Sequence, residues 1–418
     1  MGTAVLERTE TNKHGDKQNP KEICHECIGN YVMKNYIKQN GLVGVCTYCG
    51  KKRKTVALDA LLPTIECGIN FSFGRAVDEL PCEKGEYVGR TYTTEEVIKE
   101  HLYEEIDVQC DDILDDLVDL VDDEVWCDAN PFDGAEEDIA FYDWQKFCQV
   151  VKEKVRYVFF RADEENDHFE NPALVLDRIA KYVEKLNITR QIDKNTKLYR
   201  CRTSENEKWF TEAADFAPPP ATKSTAGRMN AAGINVFYLT LDQKTALCET
   251  DVPGRDFASI ASFRVKDSIK VIDLTKIRTL KIPSIFDIEN RDKRAAIKFL
   301  QKFAETISQK ADVKDIDYVP TQIITEFFRY VKNSKKQSYS GVLYDSVQNP
   351  EGKCLALFLT REEVIDKKYG VHIIPQQTEY YKKEFVRKND EAITIAIGKL
   401  FVDSISEKKV SELLKKKK

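Results

Sequence analysis

Two cysteine pairs constrain this chain more tightly than any other feature. Cys24-His25-Glu26-Cys27 is followed, after eighteen residues, by Cys46-Thr47-Tyr48-Cys49. A C-x2-C-x18-C-x2-C spacing is that of a four-thiolate zinc site. Each pair forms a tight turn that offers two sulfurs to one ion, and two turns complete a tetrahedron. Gly50 suits such a turn. Lys51, Lys52 and Arg53 lie close by and offset the charge of four thiolates. Four cysteines leave no open coordination position, so the expected Zn2+ is structural and not catalytic. Cys24, Cys27, Cys46 and Cys49 are its expected ligands, and His25 is read as a surface residue.

The chain holds 12 cysteines in 418 residues, too few for a disulfide scaffold. The other eight, scattered from Cys67 to Cys354, show no spacing and read as buried thiols. The segment Met1 to Asn19 is polar and lacks the apolar core of a signal peptide. No stretch approaches the roughly 18 apolar residues that a membrane helix needs. Thiolate metal binding without these features makes the cytoplasm the expected compartment.

The length exceeds what one core fills, which predicts several domains. A disordered leader is expected over 1–20, a zinc-binding module over 21–66 and a helical domain over 67–188. Ile113, Leu114, Leu117, Val118 and Val121 recur at helical spacing. Thr93 and Glu96 have capping-box spacing. Trp144, Phe147, Val150 and Val151 mark a second apolar stripe. Pro172 opens a further helix whose expected inward residues are Leu174, Ile179, Val183 and Leu186. Strand-prone runs then alternate with helices: Val236–Thr240, Ser259–Val265, Ile269–Ile272, Gly341–Tyr344 and Leu355–Leu359 are expected strands. Asp292–Ile307 and Thr321–Tyr330 are expected helices. A mixed α/β domain over 189–360 follows, with a C-terminal extension over 361–418. That extension carries a strand at Val371–Ile374, a helix near Glu391 and a lysine tail. The class is therefore α+β, in several domains.

Lys and Arg total 64 against 70 Asp and Glu, a net charge of −6 that gives no global case for nucleic-acid binding. Between Thr91 and Ile139, Lys99 is the lone lysine or arginine, which reads as a solvated acidic helix face.

A candidate site lies between Leu198 and Phe358. Arg200 and Arg202 share one strand ahead of a proline-rich loop, and Arg228 sits between Gly227 and Gly233. Planar guanidinium forks suit diphosphates, and glycines let backbone approach a ligand closely. Tyr238 can stack on a flat ring. Glu249 can hold a sugar hydroxyl or stabilise positive charge.

The words GRMNAAGINVFY (Gly227–Tyr238), TALCE (Thr245–Glu249), YVPTQ (Tyr318–Gln322) and YDSVQNPEGKCLALF (Tyr344–Phe358) occur in this order. In these words the sequence resembles the RES family, named for its Arg, Glu and Ser. Ala231 stands where a proline commonly follows the asparagine, and Cys248 where a small alanine often precedes the glutamate. Neither change removes a functional group. The stretch CHECIGNYVMKNYIKQNGLVGVCTYC (Cys24–Cys49) resembles the HEPN-type N-terminal domain often fused to RES domains.

The resemblance implies a fold akin to ADP-ribosylating toxins, with NAD+ as substrate in a cleft of a mixed sheet. It implies breakage of the nicotinamide–ribose bond by phosphorolysis or hydrolysis, in a growth-arresting toxin or defence effector restrained by an antitoxin or a regulatory partner. By position, Arg200 and Arg228 hold the NAD+ phosphates, and Arg202 is the alternative first arginine. Tyr238 packs near the nicotinamide or its ribose, Glu249 supports the oxocarbenium-like state, and Ser346 orients the nicotinamide side. Two further functions fit the same sequence: protein ADP-ribosyl transfer from this site, and a non-enzymatic nucleic-acid or protein adaptor acting through the zinc module. HEPN ribonucleases carry an Arg and a His on one helix. Here Arg161 and His168 flank six mostly acidic residues, poor surroundings for a phosphate, so a binding or regulatory domain is expected instead.

Overall fold

Alternating side chains on neighbouring strands organise the larger part of this protein. The computed structural model describes residues 20–132, 136–159, 172–205, 208, 210, 212–250, 257–308, 314–330, 338–365, 373–388 and 391–401. The chain divides into two compact units: Met1–Ala135 with Pro283–Asp292, and Glu136–Ile282 with Lys293–Lys418.

The first unit begins with a three-stranded antiparallel sheet of β1 (Glu22–Cys24), β2 (Leu42–Val45) and β3 (Lys52–Ala57), in the order β1-β3-β2. Helix Tyr31–Asn40 follows the first cysteine pair, N-capped by Asn30, whose side chain accepts from the Val32 N–H. Helix Leu62–Ser72 carries a proline in its first turn, where a missing N–H does no harm. The stretch expected to be all-helical also contains strands. β4 (Phe73–Arg75), β7 (Tyr92–Thr93) and β8 (Val125–Asp128) form a sheet in the order β4-β8-β7, and β5 (Cys82–Glu83) pairs with β6 (Glu86–Tyr87). Aromatic Phe73, Tyr92 and Trp126 are buried there, a choice that suits pleated surfaces as well as helices. The capping box at Thr93 and Glu96 is formed in both directions. Helix Asp112–Leu120 buries Ile113, Leu114 and Leu117 and exposes Asp112, Asp115 and Asp119, while Asp116 accepts from the Tyr48 hydroxyl at 2.7 Å.

The same unit takes in a segment from far along the chain. Ile285 and Phe286 lie in its core, beside Ile65 and Ile69. The Phe286 ring packs so closely on Gly68 that a Cβ there would stand 2.2 Å from Cε1. Asn30 Nδ2 donates to Ser284 Oγ at 2.8 Å, and Arg291 Nη1 donates to the Cys67 carbonyl at 2.8 Å.

The second unit is built on a nine-stranded sheet. Its strands are β9 (Thr189–Ile192), β10 (Lys197–Ser204), β11 (Phe237–Thr240), β12 (Phe257–Val265), β13 (Ile269–Asp273), β14 (Gly341–Asp345), β15 (Lys353–Leu357), β16 (Ile373–Lys388) and β17 (Glu391–Phe401). Their order is β17-β16-β12-β10-β11-β15-β14-β13-β9, antiparallel except for β13 beside β14. Period-2 alternation sends Val342 and Ala356 into one core with helices Glu136–Gln149, Pro172–Lys185, Arg294–Ser308 and Val319–Tyr330. It sends Leu343, Leu355 and Leu357 into another, with Phe237 and Phe263.

Helices 136–149 and 172–185 thus belong to the sheet's unit, although the expected helical domain ran over 67–188. Trp144, Phe147 and Ile179 are packed with Phe299 and Phe303, which explains the different division. Helix Pro172–Lys185 buries Val175, Ile179 and Val183, as its 3.6 period dictates, whereas Leu174 is exposed. The expected helix near Glu391 is strand β17, where Ile393, Ile395 and Ile397 recur at period 2. Arg161 and His168 lie outside the described residues. Among the described residues, no helix is long and apolar enough to cross a membrane.

Replacing Phe286 by Ala removes a buried ring and should destabilise the first unit by about 3–5 kcal/mol. Hydrogen exchange at Ile65 and Ile69 should accelerate accordingly. Unchanged protection would show that the segment does not hold that core.

Candidate active site and metal centre

The site opens where two strands part. β10 stays in register with β12 over eight residue pairs, from Lys197↔Arg264 to Ser204↔Phe257. With β11, on its other side, it pairs at Tyr199↔Thr240 alone. Beyond that pair the two strands diverge, and a cleft of about 450 Å³ lies at the divergence. Its walls include Arg200 and Arg202 from β10, Tyr238 and Thr240 from β11, and Arg228, Glu249, Tyr318 and Tyr344 from other segments.

The two neighbouring arginines differ in what already holds them. Arg202 donates from Nε to the Asp215 carbonyl at 3.2 Å and from Nη2 to the Ala217 carbonyl at 3.1 Å. Arg200 packs its guanidinium 5.0 Å from the Phe237 ring centre, and its Nη1 is buried with no hydrogen-bond partner. Burial first, and then the charge of Arg202, push the Arg200 guanidinium well below its ordinary range. An arginine keeps its proton in a protein, so the site strongly favours an anion at that position.

The loop bearing Arg228 is fixed from within. Asn230 Nδ2 donates to the carbonyls of Thr225, Ala231 and Ile234, each at 3.0 Å. Its Oδ1 accepts from the Tyr238 hydroxyl at 2.7 Å, and that hydroxyl accepts from the Met229 N–H at 3.0 Å. A Cβ on Gly227 would stand 2.6 Å from Asn230 Oδ1 and 2.9 Å from the Tyr238 oxygen, so only glycine fits. Thr321 and Gln322 donate to the carbonyls of Arg228 and Gly227 at 2.6 and 2.8 Å. The Arg228 guanidinium lies 5.5 Å from the Tyr318 ring centre. Burial pushes the Tyr238 phenol upward, opposed in part by the Met229 N–H, so it stays protonated and able to donate.

Glu249 follows helix Gln243–Cys248 and is exposed. Ser346 Oγ donates to Glu249 Oε1 at 2.5 Å. Ser346 itself is buried and is not among the cleft-lining residues; its hydroxyl meets the cleft through Glu249 and the neighbouring Cys354 thiol. Sequence position alone put it on the nicotinamide side.

Two family models match the chain: HEPN/RES N-terminal domain 1 over residues 39–165 and the RES domain over residues 197–377. This is a RES-domain protein with a HEPN/RES-type N-terminal domain. No curated protein and no solved structure matches it. Every arginine, glutamate and serine just described falls inside the RES match.

Outside that match, the four paired cysteines converge in the first unit. Their sulfurs all lie within 4.8 Å of one another, at 3.6 Å for Cys24–Cys27 and 3.7 Å for both Cys24–Cys49 and Cys27–Cys46. Cys24, Cys27 and Cys46 are buried and Cys49 is exposed. The Lys51 backbone N–H draws the Cys49 thiol down to about 7, while burial pushes Cys24 and Cys27 up. Such a set can hold a metal ion.

Several cleft residues had no role assigned from sequence. Tyr318 lies in YVPTQ and Tyr344 in YDS, so their words were visible but their direction was not. Burial pushes the Tyr344 phenol well above its ordinary range. Asn230 carried the clearest overlooked signal, an amide side chain inside a glycine-flanked loop, where amides commonly hold backbone.

A Tyr238→Phe variant leaves the Met229 N–H and Asn230 Oδ1 without their partner, at about 1–3 kcal/mol. Amide exchange at Met229 should then quicken roughly ten- to hundredfold. An unchanged rate would mean that Tyr238 does not hold the loop.

Proposed function

We propose that this RES-domain protein consumes NAD+ by breaking its nicotinamide–ribose bond. The observation that carries this reading is the buried, unpartnered Nη1 of Arg200 at a cleft that also holds Arg228 and Glu249. Two arginines on different segments suit the two phosphates of a dinucleotide. Arg200 is favoured over Arg202 for that role, because backbone carbonyls already take up the Arg202 guanidinium.

The reaction needs little covalent help from the protein. As the C1′–N1 bond breaks, its electron pair neutralises the pyridinium and nicotinamide leaves uncharged. Positive charge develops on the ribose, and a carboxylate aimed at it lowers the barrier. Glu249 is that carboxylate, and Ser346 orients it through the hydrogen bond to Oε1. Phosphate or water then bonds to C1′, which makes the reaction a phosphorolysis or a hydrolysis. Depletion of NAD+ would make the protein a growth-arresting toxin or defence effector, restrained by an antitoxin or another regulatory partner.

The cysteine centre is assigned to structural Zn2+. A zinc–sulfur distance of about 2.3 Å at tetrahedral angles sets sulfurs about 3.8 Å apart, close to the observed 3.6 and 3.7 Å. Cys24, Cys27, Cys46 and Cys49 would hold the ion and tie β1 to the turn before β3.

Purified protein incubated with NAD+ should release nicotinamide, and comparison with and without phosphate identifies the acceptor. Glu249→Gln should lower kcat by about 10²–10³-fold, and Arg200→Ala should lower kcat/KM by a similar factor, about 3 kcal/mol. Persistence of NAD+ under both conditions overturns the reading. Label transferred from NAD+ to a protein in added lysate would favour ADP-ribosyl transfer instead. Elemental analysis should find one zinc per chain and none in Cys46→Ser, and full zinc in that variant would refute the ligand set.

A further inference from the structure

We propose that Thr245 and Asn349 are positioning residues that hold Glu249 in its working orientation, an inference resting on the reading of Glu249 as the charge-stabilising carboxylate. A serine hydroxyl has one proton to give. The Asn349 N–H donates to Ser346 Oγ at 2.9 Å, so the Ser346 proton is directed to Glu249 Oε1. Asn349 is fixed in turn, because its Nδ2 donates to Thr245 Oγ1 at 2.8 Å. The Thr245 proton goes to Asp242 Oδ2 at 2.7 Å, so the Thr245 oxygen is left to accept. Each proton along this chain thus has a single direction.

The network joins two segments distant in sequence. Asp242 Oδ1 also accepts the Thr245 N–H at 2.7 Å and caps the short helix that ends just before Glu249. The Ser346 loop is closed by the Ser346 N–H to the Gly352 carbonyl at 2.9 Å and the Gly352 N–H to the Asn349 carbonyl at 2.8 Å. A Cβ on Gly352 would stand 2.1 Å from Thr245 Oγ1, so loop and helix touch directly. Thr245 is fully buried and Asn349 nearly so, at 0% and 7% exposure, which keeps water from replacing either partner. None of Thr245, Asn349 and Ser346 lines the cleft. Their effect on the reaction passes through the carboxylate, whereas the arginines that would bind NAD+ stand on β10 and the Gly227–Gly233 loop.

The test compares Thr245→Val, which keeps shape and loses the hydroxyl, with Thr245→Ser, which keeps the hydroxyl. In Thr245→Val, kcat for NAD+ should fall about 10–100-fold, as expected of a misplaced catalytic group. KM should stay within about twofold, because ground-state binding is untouched. Thr245→Ser should restore most of the rate. Rates are compared at equal folded fraction, read from thermal melts, so that a loss of folded protein is not counted as a loss of rate. The proposal is overturned by a rise in KM at constant kcat or by equal damage in Thr245→Ser. A wild-type protein that leaves NAD+ intact overturns the reading of Glu249 and this inference with it. An active wild type whose Thr245→Val variant behaves normally overturns the network alone.

Discussion

The divergence of β10 from β11 is the constraint on which the candidate site depends. A strand that pairs fully on one side and at a single position on the other leaves backbone and side chains facing open space. β12 holds β10 straight, and β15 holds β11, so the gap is a fixed feature between two well-supported edges. Arg200 stands at that gap. Its guanidinium is removed from water by Phe237 and the neighbouring strands, yet no protein acceptor meets Nη1. The arrangement is unfavourable for the protein alone and becomes favourable when an anion arrives.

Electrostatics in this protein are local. The total charge is negative, and much of the excess lies between Thr91 and Ile139, where helix Asp112–Leu120 exposes Asp112, Asp115 and Asp119. Three arginines nevertheless line one cleft. Two of them are restrained by the protein itself, Arg202 through carbonyls and Arg228 beside the Tyr318 ring. Rings and backbone carbonyls meet the guanidinium groups there: Phe237 at Arg200, Tyr318 at Arg228, and the Asp215 and Ala217 carbonyls at Arg202.

Sequence reasoning reached the parts of this structure that rest on local patterns. The strands from Val236 to Leu359 alternate at period 2, and both arginines of β10 fell on one strand as their spacing required. The cysteine pairs converge because turn geometry is encoded within four residues. What escaped was set by distant partners. Leu174 looks as apolar as Val175, and only the facing helices decide which one is buried. Ser346 carries a hydroxyl suited to a ligand or to a carboxylate, and the choice was made by Glu249, 97 residues away. Strands in the N-terminal unit are two to six residues long, too short to show a period.

The segment Pro283–Asp292 gives the two sequence domains a property that their matches do not suggest. The RES match spans 197–377, yet these ten residues inside it complete the core of the first unit. The N-terminal match runs to 165, yet helix Glu136–Gln149 inside it belongs to the second. Each half has lent the other a piece. A gene fragment cut between the matches would therefore yield two incomplete products, one missing Ile285 and Phe286 from its interior and the other displaying them to water. In this chain the RES half and the cysteine-bearing half do not separate at the boundary between their matches.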